Sequence, residues 1–232
     1  MAFREIVAPT VKELFIQQLE GMILSGELRP GDRLPTEREL ADEMKISKTV
    51  VHEGLRELHR LGFLDIASRR GVTVADYAQT GSLETLRAIM DFHGGLPDAK
   101  TAGSILQLRY YLEGPAMEEL AARHTPADMT ALQALQRQAE QAAQEGTDAL
   151  AEALFRYHRG ITFLSGNTIT PLLFNAFTWV NLEFWKEYIQ LTGIDRCLER
   201  LAQFTDHIEA GEGQAASSLL RQGLEQFITQ VR

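Results

Sequence analysis

Cysteine is nearly absent: Cys197 is the only one in 232 residues, so no disulfide can form within the chain and a disulfide-stapled fold is excluded. Long hydrophobic runs are missing too. The most apolar stretch, Pro171 to Trp185, is interrupted by Asn175, Thr178, Asn181 and Glu183, so no membrane span is expected. The opening Met1-Ala2-Phe3-Arg4-Glu5 lacks the apolar segment of a secretion signal, and the cytosol is the expected compartment. No phosphate-binding loop, nucleophile–base–orienter set or paired metal motif occurs, and six scattered histidines are ordinary. An all-helical enzyme using His158 with a carboxylate such as Glu152 as general base is therefore the weaker reading, and the chain is not expected to be an enzyme.

Positive charge is in short supply, with 23 Lys and Arg against 32 Asp and Glu and a net charge of −9. The deficit is uneven: residues 1–77 carry 11 against 13, net −2, and residues 78–232 carry 12 against 19, net −7. A nucleic-acid partner needs only a basic contacting face, so the N-terminal third is where one is sought. The remainder, 44% hydrophobic and 24% charged, is the composition of an ordinary globular protein of one or two domains.

From Thr10 to Ser25, Val11, Leu14, Phe15, Leu19, Met22 and Ile23 recur at threes and fours, the period of an amphipathic helix. Thr10 and Glu13 have the capping-box spacing, and the Gly and Pro residues between Ser25 and Asp32 end the helix. A second box, Thr36 and Glu39, opens a short helix to Met44 with Leu40, Ala41 and Met44 inward. After a turn at Lys45-Ile46, Ser47 caps a third helix from Lys48 to about Leu61, with Val51, Leu55, Leu58 and Leu61 inward. Two short helices joined by a tight turn make a helix-turn-helix, whose second helix presents its N-terminal residues to the major groove. Then the period changes to two: Leu64 and Ile66, and Val72 and Val74, flank a turn at Ser68-Arg69-Arg70-Gly71. The result is a winged helix whose hairpin tip carries Arg69 and Arg70.

The strings Leu28-Arg29-Pro30-Gly31-Asp32-Arg33-Leu34-Pro35-Thr36-Glu37-Arg38-Glu39-Leu40-Ala41, Ile46-Ser47-Lys48-Thr49-Val50-Val51, Leu61-Gly62-Phe63-Leu64 and Arg70-Gly71 resemble the DNA-binding domain of GntR-type bacterial transcription regulators. The resemblance implies DNA contacts at Arg38, Ser47, Lys48, Thr49 and His52, together with the wing arginines Arg69 and Arg70. Lys48 and His52 stand where the family usually has two arginines, and Val50 where a small residue or proline is usual. Lysine does not make the forked pairing to guanine, so the operator is expected to differ from the commonest one.

Beyond a linker at 77–81 every pattern is helical, with helices expected at 82–92, 102–123, 126–144, 148–164, 171–191, 194–210 and 213–231. The fold expected is mainly α: residues 1–76 a winged helix-turn-helix with a small β-hairpin wing, and 82–232 an all-α antiparallel bundle that binds an effector in its core and dimerises. Phe174, Phe177, Phe184 and Trp185 suit the lining of an apolar cavity, and Arg109 suits a carboxylate or phosphate.

Arg109, Glu113 and the segments Phe155 to Gly160 and Ser165-Gly166-Asn167 resemble the FadR subfamily. Many of its members hold a metal through an Asp and a His four apart and two later histidines. Here those positions read Leu154, His158, Leu201 and Gly223, so His158 is the one surviving donor and no metal or other cofactor is expected; His207 lies off that face. Subfamily members without the metal include one that binds long-chain acyl-CoA, and Arg109 and Tyr188 match its ligand contacts, whereas Asn181 and Glu183 replace an aromatic and a basic residue. The effector site implied is Arg109, His158, Trp185 and Tyr188, for a fatty acid or acyl-CoA or, as the alternative, a small carboxylate that binds with a metal. The expected partners are this effector, a second copy of the chain and double-stranded DNA with a palindromic operator.

Overall fold

A computed structural model describes residues 8–67, 71–92 and 99–230. The chain forms two compact units, divided after Gly95.

In the N-terminal unit α1 (Val11–Leu24) begins at a complete Thr10/Glu13 capping box and α2 (Glu37–Met44) at a complete Thr36/Glu39 box. Lys45, with φ of 54°, is in the left-handed region at the end of α2 and turns the chain sharply into α3 (Lys48–Arg60). There the Ser47 hydroxyl accepts from the Val50 amide at 3.2 Å. Strands β1 (Leu64–Ala67) and β2 (Gly71–Val74) pair antiparallel with Leu64 opposite Val74 and Ile66 opposite Val72. The loop before α2 adds a bridge between Arg33 and Thr73, a pairing that period-2 reading of the hairpin alone does not show. Phe15, Leu19, Ile23, Leu40, Val51, Leu55, Leu58, Phe63 and Val74 form the core. Gly54 lets α1 approach α3 closely, since a methyl there would overlap the Phe15 ring.

The 77–81 segment, expected to be a bare linker, holds a single turn, α4 (Tyr77–Thr80), and Tyr77 meets Phe63 edge-on at 5.6 Å. The next helix, α5 (Leu83–Phe92), also belongs to the N-terminal unit: Ala88 and Ile89 pack against its core, and Glu84 pairs with Arg60 of α3 at 2.5 Å. Its apolar face reads like that of any bundle helix, so the sequence pattern alone did not reveal the partner it packs on.

The second unit contains α6 (Ala99–Arg123), α7 (Pro126–Ala142), α8 (Thr147–Leu164), α9 (Thr170–Ala176), α10 (Thr178–Thr192), α11 (Ile194–Glu209) and α12 (Gly213–Gln230). The helix expected over 171–191 is two. Phe177 leaves helical geometry at φ −103° and ψ 16°, and the Thr178 hydroxyl donates to the Asn175 carbonyl at 2.6 Å, closing α9 before α10 starts. Helix α6 packs on α8, α11 and α12, and α8 packs on α7, α9 and α10. The two central helices thus bring Arg109 and Glu113 on α6 against His158 on α8.

Candidate DNA-facing surface and effector cavity

On the N-terminal unit, Arg38, Ser47, Lys48, Thr49 and His52 are all exposed around the start of α3. The Arg38 side chain is 88% accessible, beside Asp42 at 3.8 Å. Ser47 is already engaged as the cap of α3. Glu37 of α2, not singled out by sequence, spans both basic groups of α3: its carboxylate lies 2.8 Å from His52 Nδ1 and 4.0 Å from Lys48 Nζ. It ties the two helices together. Arg69 and Arg70 lie outside the described residues.

In the helical unit, Glu113 is fully buried, His158 and Arg109 nearly so. Arg109 Nε donates to Glu113 Oε2 at 3.1 Å, and His158 Nδ1 is hydrogen-bonded to Glu113 Oε1. Burial opposes ionisation of Glu113, but the adjoining His158 and Arg109 outweigh it and hold its carboxyl below the usual range. Burial likewise pushes His158 down, against the pull of Glu113 and with help from Arg109. The consistent state is a neutral imidazole that donates Nδ1–H to an ionised Glu113, since a second proton would leave a net positive charge in the interior. His158 Nε2 then carries a lone pair with no partner, and Arg109 Nη2 and Trp185 Nε1 are donors with none. The Arg109 guanidinium lies over the Trp185 ring, 4.4 Å from its centroid, and the His158 ring lies 4.8 Å from the same ring.

These groups line a cavity of about 30 Å³ otherwise walled by Leu154, Phe184, Leu201, Phe204, Leu220, Leu224 and Phe227. Tyr188 stands at its side, its hydroxyl accepting from Arg200 at 3.2 Å. Arg109, His158, Trp185 and Tyr188 are therefore brought together. Of the four aromatics expected around one cavity, Phe184 and Trp185 line it, whereas Phe174 and Phe177 line a separate gap of about 10 Å³ beside Asn181. Phe174 lies on α9 and Phe177 at the break, whereas Phe184 and Trp185 lie on α10 beyond it, so one continuous helical face does not carry all four. Glu152 is exposed and paired with Arg156, so it does not serve His158; Glu113 does. His207 pairs with Glu212 away from the cavity.

Leu154, His158, Leu201 and Gly223, the positions that correspond to metal ligands, all line this one cavity. The donor set does not fit a metal. Three of the four have no ligating atom, and Glu113 is committed to Arg109 and His158. Burial pushes the Cys197 thiol up to about 11, so it stays protonated. Among the described residues no group of three or more His, Cys, Asp and Glu is placed to hold an ion.

Two family descriptions match in the same order as the two units: "Bacterial regulatory proteins, gntR family" over residues 12–74, and the FCD domain over 104–226, more than half of the chain. The chain belongs to the GntR family. The FCD match with relatives named for fatty acid metabolism places it in the FadR-like subfamily. Among its GntR relatives, the Mce2R transcriptional regulator of Mycobacterium tuberculosis is 30% identical over 132 residues, covering 57% of this chain and 54% of that protein. The fatty acid metabolism regulator protein of Shewanella amazonensis is 30% identical over 163 residues, 67% of this chain and 62% of that protein. The chain thus aligns with little more than half the length of the first of these relatives. A Listeria monocytogenes protein, Lar, superposes with a TM-score of 0.58 over 97% of this chain and 98% of its own at 15% identity, a likeness of fold.

Proposed function

We propose that the chain is a DNA-binding transcription regulator that acts as a homodimer on a palindromic operator and is controlled by an apolar carboxylic acid, a fatty acid or its acyl-CoA, held in the helical unit. The observation that carries this reading is the cavity: an apolar wall in which Arg109 Nη2, Trp185 Nε1 and His158 Nε2 are buried without partners. Buried polar groups left unpaired cost stability, and a ligand head group that satisfies them recovers it. Arg109, His158, Trp185 and Tyr188 are the effector residues. Arg38, Ser47, Lys48, Thr49 and His52, with the wing arginines Arg69 and Arg70, face DNA. The name of the Shewanella relative supports the fatty-acid choice. The metal-assisted small acid is the less favoured reading, because the cavity lacks the donors a metal needs.

About 30 Å³ holds a water molecule or two, far less than an acyl chain. A ligand must therefore widen the space between α8, α10, α11 and α12, and a ligand that binds only the widened state shifts the helical unit toward it. In a two-fold dimer the recognition helices meet the duplex about 34 Å apart, so a small change in their spacing weakens both half-sites together.

The test is to select a duplex from a random pool and titrate the complex with carboxylates and acyl-CoAs of graded length, with and without zinc, by fluorescence anisotropy. Release by long apolar acids or their thioesters without zinc is expected. Release only by a short acid with zinc would establish the metal-assisted reading instead.

A further inference from the structure

A second guanidinium reaches the cavity, and nothing in the family resemblance assigns it a role. Arg200 of α11 lines the cavity beside Tyr188 and also lines the polar hollow outside it, which includes Arg196, Glu199 and Gln226. Arg200 is half-buried, and its one recorded hydrogen bond is to the Tyr188 hydroxyl. Among the described residues it has no recorded carboxylate partner.

Its path is made by a glycine. Gly223 sits inside α12, an interior position where glycine is the poorest residue after proline. A methyl group at 223 would overlap the Arg200 guanidinium. The helix tolerates glycine there and the space is filled by a cation.

Among the residues that line the cavity, Arg109 is balanced by Glu113 behind it, His158 is neutral, and Arg200 has no acidic counterpart; Glu199 lines only the outer hollow. We infer that Arg200 is the anion-binding residue of this cavity, that Gly223 admits it, and that the ligand is a monoanion with an apolar body, neutralised by Arg200 and hydrogen-bonded by Arg109 Nη2. This inference rests on the effector reading above and specifies it: a free monocarboxylate is preferred over a neutral analogue and over a dicarboxylate, whose second charge would have no counterpart.

The experiment compares octanoate, octanamide and suberate on the full-length chain by isothermal titration calorimetry, with Arg200→Gln, Arg200→Lys and Gly223→Ala beside the parent. Octanoate is expected to bind more tightly than either analogue. Arg200→Gln is expected to weaken octanoate at least tenfold while leaving octanamide unchanged; Arg200→Lys restores part of the loss, and Gly223→Ala weakens octanoate by displacing the guanidinium. Equal octanoate affinity in Arg200→Gln and the parent overturns the inference, as does equal loss of octanoate and octanamide, which would mean a structural role only. If octanoate still releases DNA from Arg200→Gln as from the parent, the inference falls and the effector reading stands. If octanoate does not bind the parent chain but acyl-CoAs still release DNA, the inference falls and the effector reading stands; if neither acts, both fall.

Discussion

The two units contain a similar trio, a carboxylate between a basic side chain and a histidine, in different surroundings. In the N-terminal unit Glu37 spans Lys48 and His52 at the surface; in the helical unit Glu113 spans Arg109 and His158 in the interior. The outer trio is hydrated, so each ion pair is worth little and DNA phosphates can replace the Glu37 carboxylate at small cost. The inner trio is shut off from bulk solvent, so removing one member leaves an unbalanced buried charge. On the proposed function, the exchangeable arrangement suits a surface that binds and releases DNA, and the permanent one suits the floor of a cavity whose remaining polar atoms a ligand can satisfy.

The sharpest way to break this contrast is Glu113→Gln, which strands the Arg109 charge. It is expected to cost about 3–5 kcal/mol, seen as a fall of about 10 °C in the thermal midpoint of the helical unit; an unchanged midpoint would mean that the inner trio is no more coupled than the outer. Next in size, Arg38→Ala is expected to weaken operator binding about 10- to 100-fold with the thermal melt unchanged, as loss of a DNA-contacting arginine does. Retained affinity would remove Arg38 from the interface.

A third carboxylate, Glu20, sharpens the comparison because it has burial without a partner. It lies in a groove formed by α1, α3 and α5 with Glu57, Arg60, Glu84, Arg87 and Asp91, and burial, then Asp91 and Glu57, push its pKa up to about 7. The folded chain thus holds a proton that the unfolded chain has lost between pH 4.5 and about 7, so this group makes stability fall as pH rises through that window. Glu20→Gln is expected to stabilise the N-terminal unit by about 1–2 kcal/mol at pH 8, part of the effect being screened in the open groove, and to change little at pH 5. Chemical denaturation at the two pH values checks it. The smallest effect belongs to Glu37→Gln, which frees Lys48 and His52. Operator affinity should rise a few-fold and stability change by less than about 1 kcal/mol.

Much of the N-terminal unit was legible because its signals are local. The capping boxes at Thr10 and Thr36, the cap at Ser47 and the alternation of Leu64, Ile66, Val72 and Val74 each fix structure within a few residues. What escaped was non-local. Helix α5 has an apolar face that does not say which unit it packs on, and Arg33 joins the hairpin from a loop some 40 positions away in sequence from Thr73. In the cavity, Arg109 and Glu113 are four apart on one helix, yet Arg109 was expected to hold the effector's acid group and not to pair with Glu113, and the closure by His158 depends on two helices meeting. The split between Phe174 and Phe184 turns on one non-helical residue, Phe177, inside an apolar run. In sequence Gly223 shows only a missing ligand, because the space it leaves for Arg200 depends on α11 and α12 packing together.

The central claim is that one chain couples an apolar acid to DNA, and linkage makes that coupling reciprocal. The most direct measurement is the octanoate dissociation constant with and without saturating operator duplex, set beside the operator dissociation constant with and without saturating octanoate. The account predicts that DNA weakens octanoate binding by the same factor by which octanoate weakens DNA binding. Octanoate binding that is identical with and without the duplex would contradict it.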